Sequence, residues 1–217
     1  MPAGASPRPR LNRDRVVQAA VELADAGGFD ALSMRKLAEQ LGVVPMALYK
    51  HVAYKDELLD LMIDRVFAEV SVPVDCGWRT AMRERALLMR KALKRHPWAV
   101  GRMESGTPGP ANLRHHNAVM ASLRSEAGLA FGDAVHAYSL MDSYVYGYAL
   151  QEKGMTGDIP AEARRRGAAA AEQNVPFADY PYLVEVMTEL SRTGYDFAQE
   201  FEFGLDVILD GIARLRS

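Results

Sequence analysis

The sequence predicts an all-α fold, in which a small N-terminal unit of three helices is joined by a connecting helix to a larger helical body. Three observations predict it. Apolar residues recur three and four positions apart through almost every segment, and no run alternates with period two between hairpin turns. Residues Ser33 to Lys55, SMRKLAEQLGVVPMALYKHVAYK, read as two short helices meeting at a glycine turn. The stretch Ser71 to Gly77, SVPVDCG, breaks the pattern and divides the chain.

The first helix runs from Arg13 to Ala26. Asn12 caps it, Leu11 and Val16 form a hydrophobic staple, and Gly27–Gly28 ends it. Val17, Ala20, Val21 and Ala24 give its inward stripe. In the second helix Leu37, Ala38 and Leu41 are the stripe, Ser33 is the N-cap, and Gly42 supplies the left-handed backbone that ends it. Pro45 suits the first turn of a third helix reaching His51, with Leu48 as its one core residue. A longer helix follows from Asp56 to about Val70, its apolar side made by Leu58, Leu59, Met62, Ile63 and Val66. Beyond the break, helices are expected over Trp78 to Arg95, Pro110 to Glu126 and Gly132 to Lys153, with a short one over Ala99 to Glu104. Gly154 to Pro176 reads as a connection whose EARRRGAAAAEQ part is a marginal helix, and helices over Tyr180 to Arg192 and Asp196 to Arg214 close the chain.

Composition narrows the function. The chain has 217 residues, 49% hydrophobic and 25% charged, the balance of an ordinary globular protein with a substantial core. No apolar run approaches the roughly 18 residues that span a bilayer. The opening MPAGASPRPR lacks the apolar core of a secretory signal. Cys76 is the only cysteine, which excludes an intramolecular disulfide and fits a reducing, cytoplasmic setting. The net charge is −2, yet Arg8 to Lys55 holds eight Lys or Arg against five Asp or Glu. The basic residues gather at the leading arm and around the two short helices.

That arrangement is what a helix entering a DNA major groove requires. The third helix carries Pro45, Met46, Ala47, Tyr49, Lys50 and His51, which are small, aromatic or basic rather than core-forming. Met46, Ala47 and Lys50 project where base edges are reached: lysine donates to guanine, and an apolar side chain meets a thymine methyl. Arg13, Ser33, Arg35, Lys36, Tyr49 and Lys55 are of the type that grips phosphate and sets register. Taken singly, Tyr49 is as well explained by packing and the lysines by solvation. Their joint placement on one helix–turn–helix carries the reading.

The segment Leu11 to Val70 resembles the DNA-binding domain of the tetracycline-repressor (TetR) family, through RVVQAAVELADAGGFDALSMRKLAEQLGV, ALYKHV and KDELLD. The last helix, in FEFGLDVILDGI, resembles the tetracycline-repressor branch itself. The resemblance implies three parts: a flexible arm over 1–10, a helix–turn–helix domain over 11–70, and an effector-binding and dimerisation domain over 71–217. It also implies a homodimer that binds a palindromic operator of double-stranded DNA and is released by a small-molecule effector. In that family Tyr49 and Lys55 match phosphate-contacting positions, and Pro45, Met46 and Lys50 match positions that vary between operators. Tetracycline repressors carry a Gln-Pro pair and a tryptophan where this chain has Pro45–Met46 and Lys50, so a different operator is expected. They hold a drug–magnesium chelate through a histidine two residues before a Gly-Thr pair; Gly106–Thr107 is present here, but that position is Glu104. Ser71, Arg85 and Met89 stand where that branch has His, Asn and Phe, which argues against tetracycline.

The second body reads as a sensor, an apolar pocket with a few polar anchors. Arg85, Met89, Arg102, Glu104, Asn117, Tyr138, Asp142 and Gln151 are its candidate lining, although tyrosine and methionine stripes are ordinarily core. In the last helix Phe197, Phe201, Gly204, Leu205, Ile208, Ile212 and Leu215 form a wide apolar face. From the resemblance, Phe201, Gly204, Leu205, Ile208 and Ile212 are expected to pair with a second subunit, together with Gly132 to Lys153. Two rival classes remain at this point: a helical partner-binding protein without DNA readout, and an all-α enzyme. Against the enzyme, the five histidines lack the spacing of a helical metal pair, and there is no phosphate loop or nucleophile motif. No catalytic residue, metal site or cofactor is expected.

Overall fold

The computed structural model describes residues 10–104, 106–156 and 177–215, and among these it holds nine α-helices and no strand. The helices are α1 Arg13–Gly27, α2 Met34–Leu41, α3 Pro45–Leu48, α4 Lys55–Ala68, α5 Trp78–Arg95, α6 Pro110–Ala121, α7 Phe131–Thr156, α8 Pro181–Thr193 and α9 Phe197–Ala213. Positions 1–9 and 157–176 lie outside the described residues, and with them nearly all of the arm and of the expected connection.

The head is built by local signals. Asn12 Oδ1 accepts from the Arg15 N–H at 2.9 Å, capping α1, and Ser33 Oγ accepts from the Lys36 N–H at 3.2 Å, capping α2. Gly42 sits at φ 67°, ψ 36°, and closes α2 with paired bonds: its own N–H to the Glu39 carbonyl and the Val43 N–H to the Ala38 carbonyl. The helix α3 is a single turn rather than the expected run to His51. Beyond Leu48 the chain continues as turns, with the His51 and Val52 N–H groups both closing on the Leu48 carbonyl. Leu48 and Val52 are buried beside Val16, Ala20, Leu37 and Leu58 in one cluster, so α1, α2 and α3 enclose a small core.

Helix α4 belongs to both parts. It packs on α1 in the head and on α6 in the body, and Met62, Ile63, Val66 and Phe67 are buried along it. The break follows as Val70 to Gly77, where Asp75 and Gly77 both take positive φ. Helix α5 then crosses the body against α7. Arg90 holds Glu152 bidentately at 2.8 and 2.9 Å, and Lys94 reaches the same carboxylate at 2.8 Å. Burial alone would raise the Glu152 carboxyl, but these cations outweigh it and hold the group below its ordinary value. The expected helix over Ala99 to Glu104 is a 3-10 turn over Pro97–Ala99. Helix α6 ends at Ala121 and widens into a π turn over Ser122–Glu126, closed by the Ala127 N–H on the Ser122 carbonyl. Gly154 continues α7 rather than opening a connection.

The last helix corrects an expectation. Phe201, Leu205 and Ile212, read as partner-facing, are buried within the subunit together with Leu209. Phe201 packs on Tyr144 and Tyr148 of α7, its ring lying 5.3 Å from Tyr144 and 5.1 Å from Tyr148. The Tyr144 hydroxyl donates to the Phe201 carbonyl at 2.9 Å, and the Tyr148 hydroxyl to the Phe197 carbonyl at 2.7 Å. Gly204 admits this packing, because a Cβ there would lie 2.3 Å from the Tyr144 hydroxyl. Ile208 is half-buried. The outward face of α9 is instead Phe203 and Val207, 70% and 57% exposed. On α7, which packs against α9, Leu140 and Leu150 are exposed as well.

Candidate functional site

Two places in the molecule carry chemistry. The first is the tip of the head. With Leu48 as the single inward plug of α3, the other side chains turn outward: Met46 is 72% exposed and Tyr49 45%. Pro45 and Lys50 are exposed, while Ala47 and His51 are half-buried. Arg35 and Lys36 are exposed on the first turns of α2. These expected residues are thus all at least partly exposed on the helix–turn–helix. Ser33 is there too, serving as the α2 cap. Arg13 differs: it is engaged with Glu57 of α4, whose other oxygen accepts the Ala53 N–H. That network fixes α1 to the start of α4, so Arg13 is a brace within the head rather than a free phosphate grip. Lys55 Nζ lies 4.7 Å from the centre of the Phe29 ring.

The junction between head and body was not legible beforehand. Asp25 near the end of α1 accepts from Trp98 Nε1 at 2.6 Å and meets His96 Nδ1 at 2.7 Å, while Glu69 meets the other His96 nitrogen and Arg95. Arg102, expected in the pocket, belongs here. Its guanidinium stacks 4.8 Å from the Phe29 ring and donates to the Trp98 carbonyl at 3.0 Å.

The second place is a cleft of about 280 Å³ between α4, the loop after Met103, and the start of α6. Asp60, Asp64, Met103, Glu104, Asn112 and His116 are among its lining residues. Two carboxylates of α4 hold the loop by its backbone: the Thr107 N–H donates to Asp60 at 3.1 Å, and the Asn112 N–H to Asp64 at 2.8 Å. A Cβ at Gly106 would stand 1.9 Å from an Asp60 oxygen, so the close approach requires glycine there. The loop is thus tied to α4 at both ends.

Behind the cleft lies a buried polar cluster contributed by α5, α6 and α7. Arg85 is fully buried and pairs with Asp142 through Nη2, while its Nε donates to His115 Nε2 at 3.0 Å. The other His115 nitrogen, Nδ1, lies 3.2 Å from the Val70 carbonyl just past α4. A carbonyl can only accept and the arginine can only donate, so His115 is the neutral Nδ1–H tautomer. Burial, reinforced by the Arg85 charge, pushes its pKa down to about 4. His116 is also held below its ordinary value, chiefly by burial, and accepts from the Tyr138 hydroxyl. Burial and then the Asp142 charge keep the Tyr138 and Tyr146 hydroxyls protonated. Arg85 Nη1, Asp142 Oδ2 and the Tyr146 hydroxyl make no close hydrogen bond among the described residues, although the Asp142 carboxylate acts as an acceptor on the Tyr138 and Tyr146 hydroxyls.

Of the expected pocket residues, then, Arg85, Tyr138 and Asp142 are brought together, Met89 is buried in the core, and Glu104 lines the cleft. Asn117 and Gln151 are exposed on the outside of α6 and α7 and do not line it. Sequence reasoning missed His115, His116, Tyr146, Asp60 and Asp64. The signal for Tyr146 was present, since Tyr138, Asp142 and Tyr146 recur every fourth residue on one side of α7. Among the described residues no three His, Cys, Asp or Glu side chains are grouped to hold a metal ion. None of the helices searched is long and apolar enough to cross a membrane.

A short exposed reader on a helix–turn–helix, joined by one helix to a body with its own cleft, defines a DNA-binding regulator of transcription. Residues 16–62 match the pattern of the bacterial regulatory proteins, tetR family, and residues 73–216 match the tetracyclin repressor-like C-terminal domain. The chain belongs to the TetR family, whose members are transcriptional regulators rather than enzymes. It is 38% identical to the HTH-type transcriptional repressor DrrR1 of Streptomyces coeruleorubidus, over 95% of this chain and 78% of that protein. It is 35% identical to the class A tetracycline repressor protein of Escherichia coli, over 95% of this chain and 93% of that one. Among solved structures it resembles the TetR family protein ActR of Streptomyces coelicolor in complex with actinorhodin. There the TM-score is 0.75 and the identity 32%, over 94% of this chain and 96% of that one.

Proposed function

We propose that this regulator represses transcription as a homodimer on an approximately palindromic operator, and that a small organic effector seated in the cleft releases it. The observation that carries the reading is the pairing of an outward reader turn with a cleft whose loop is held by α4. Met46, Ala47 and Lys50 read base edges, and Tyr49, Arg35, Lys36 and Lys55 grip phosphate. The exposed apolar faces of α7 and α9, with Leu140, Leu150, Phe203 and Val207, support a two-fold seam of four helices. Two readers related by that axis fall on successive major grooves. ActR is a relative that holds actinorhodin. A comparable small molecule in this chain's cleft presses on the 106–112 loop, and Asp60 and Asp64 carry the displacement into α4. A coupling of about 1–3 kcal/mol weakens operator binding roughly 5- to 150-fold.

The test is a gel shift on the DNA upstream of the protein's own gene. Binding that falls steeply with salt in the wild type, and at least tenfold in Tyr49→Ala with Lys50→Ala, supports the reader assignment. Equal affinity of the two proteins overturns it.

A further inference from the structure

Resting on the reading of α3 as the DNA reader, the residues that open that turn narrow what it reads. We propose that Val44 is a further specificity-determining residue, and that Val44 and Met46 read the operator through the C5-methyl groups of thymines rather than through hydrogen bonds to base edges.

The exposed apolar surface of the head is confined to one stretch. Among the described residues up to Val70, the large hydrophobic side chains left exposed are Val44, Met46, Tyr49 and Tyr54. Val43 packs on the core, whereas Val44, in extended backbone at φ −78° and ψ 146°, is left outside it and is 68% exposed. Val44, Pro45, Met46 and Ala47 carry no side-chain donor or acceptor, and polar side chains begin only at Tyr49 and Lys50. In a helix–turn–helix the residues that open the second helix are the ones that meet base edges. In this chain those side chains have no hydrogen bond to give.

Charge identifies what covers them. From Gln40 to Lys55 there is no Asp or Glu, while Lys50 and Lys55 lie in the stretch and Arg35 and Lys36 are exposed on α2. An apolar patch in so basic a setting suits a polyanion rather than an apolar protein face.

The major groove offers an apolar side chain one partner, the thymine methyl, because the other bases present only donors and acceptors there. Val44 or Met46 set against guanine or cytosine would take water from those groups and return no hydrogen bond. The same side chains therefore favour thymine twice, by burying its methyl and by leaving its competitors unsatisfied. Lys50, one turn after Met46, supplies the donor that guanine accepts, so methyl contact and hydrogen bonding are divided along the turn.

Gel shifts on an operator that the protein itself selects from random-sequence duplexes test the assignment. The duplex is made with thymine or with uracil throughout, which removes every C5-methyl and keeps the base pairing. The wild type should bind the thymine form at least about fourfold tighter, the factor that burying one methyl group supplies. Val44→Ala should lower that ratio, and Val44→Ala with Met46→Ala should bring it to about one. Both positions are exposed, so the variants keep the packing of the head. Lys50→Ala should weaken both forms and leave the ratio unchanged. At the thymine whose methyl matters most, a 5-methylcytosine–guanine pair should bind better than cytosine–guanine by the same factor. A wild-type ratio below about twofold overturns the proposal. So does a ratio unchanged by Val44→Ala, or a 5-methylcytosine no better than cytosine. Those results discard methyl readout while the reader stands, whereas equal affinity of wild type and of Tyr49→Ala with Lys50→Ala discards the reader itself.

Discussion

Gly204→Ala is the sharpest test of how the last helix is used. A Cβ at this position would lie 2.3 Å from the Tyr144 hydroxyl, 2.8 Å from Cζ and 3.0 Å from Cε2. The methyl cannot yield, so the ring must leave its place on α9. That breaks the 2.9 Å hydrogen bond to the Phe201 carbonyl, about 1 kcal/mol. It also disrupts the stack on the Phe201 ring, about 0.5–1.5 kcal/mol. Alanine returns about 0.8–1 kcal/mol of helix propensity. Overpacking strain of about 1–3 kcal/mol is then the deciding contribution, and the net destabilisation should be about 3 kcal/mol. For a chain of this size that lowers Tm by roughly 6–12 °C, measured at one fixed protein concentration. Gly211→Ala is the matched control: nothing lies within 4 Å of its Cβ, so within the subunit it should be neutral or slightly stabilising. Combining Gly204→Ala with Tyr144→Ala should recover most of the loss, because the clashing ring is gone. A Gly204→Ala protein as stable as wild type, or a double variant in which the two losses simply add, would refute the packing described.

Four further outcomes are expected. Phe203→Glu with Val207→Glu should turn the dimer into a folded monomer by light scattering, whereas a persistent dimer would move the seam elsewhere on the surface. Arg85→Met leaves Asp142 buried without its partner and should cost about 3–5 kcal/mol in urea unfolding, and adding Asp142→Leu should restore most of it. The His115 pKa is lowered from its ordinary 6.5 to about 4, so below pH 6.5 the unfolded chain takes up a proton that the folded protein refuses. Its contribution is thus complete above pH 6.5 and declines toward pH 4 by on the order of 3 kcal/mol, and urea titrations of His115→Gln should show a correspondingly flatter acid limb. Finally, Asp60→Asn with Asp64→Asn should leave operator affinity near wild type while blunting release by any effector, seen by comparing gel shifts with and without it.

Much of the head was legible because its signals are local. Ser33, Gly42 and Pro45 each dictate backbone within one turn, and the ends of α5 at Trp78 and Arg95 follow from composition alone. The single-turn length of α3 was not legible, since it depends on how Leu48 and Val52 enter the core together. That Phe201, Leu205 and Ile212 of α9 would be buried inside the subunit was not legible for a related reason. Apolar residues cover most of that helix, and periodicity cannot tell which side meets α7 of the same subunit. Arg102 shows the limit for long side chains: nothing near it in the chain announces Phe29 as its partner. Tyr138, Asp142 and Tyr146 were in register on α7, but Arg85 and His115 reach them only through the tertiary fold.

Because Leu48 and Val52 anchor the reader turn from inside, the proposed reading surface is separate from the packing that holds it. Positions 46, 49 and 50 are exposed and contribute little to the interior, so substitutions there leave the scaffold's packing largely intact, and on the proposed reading they alter which operator is bound.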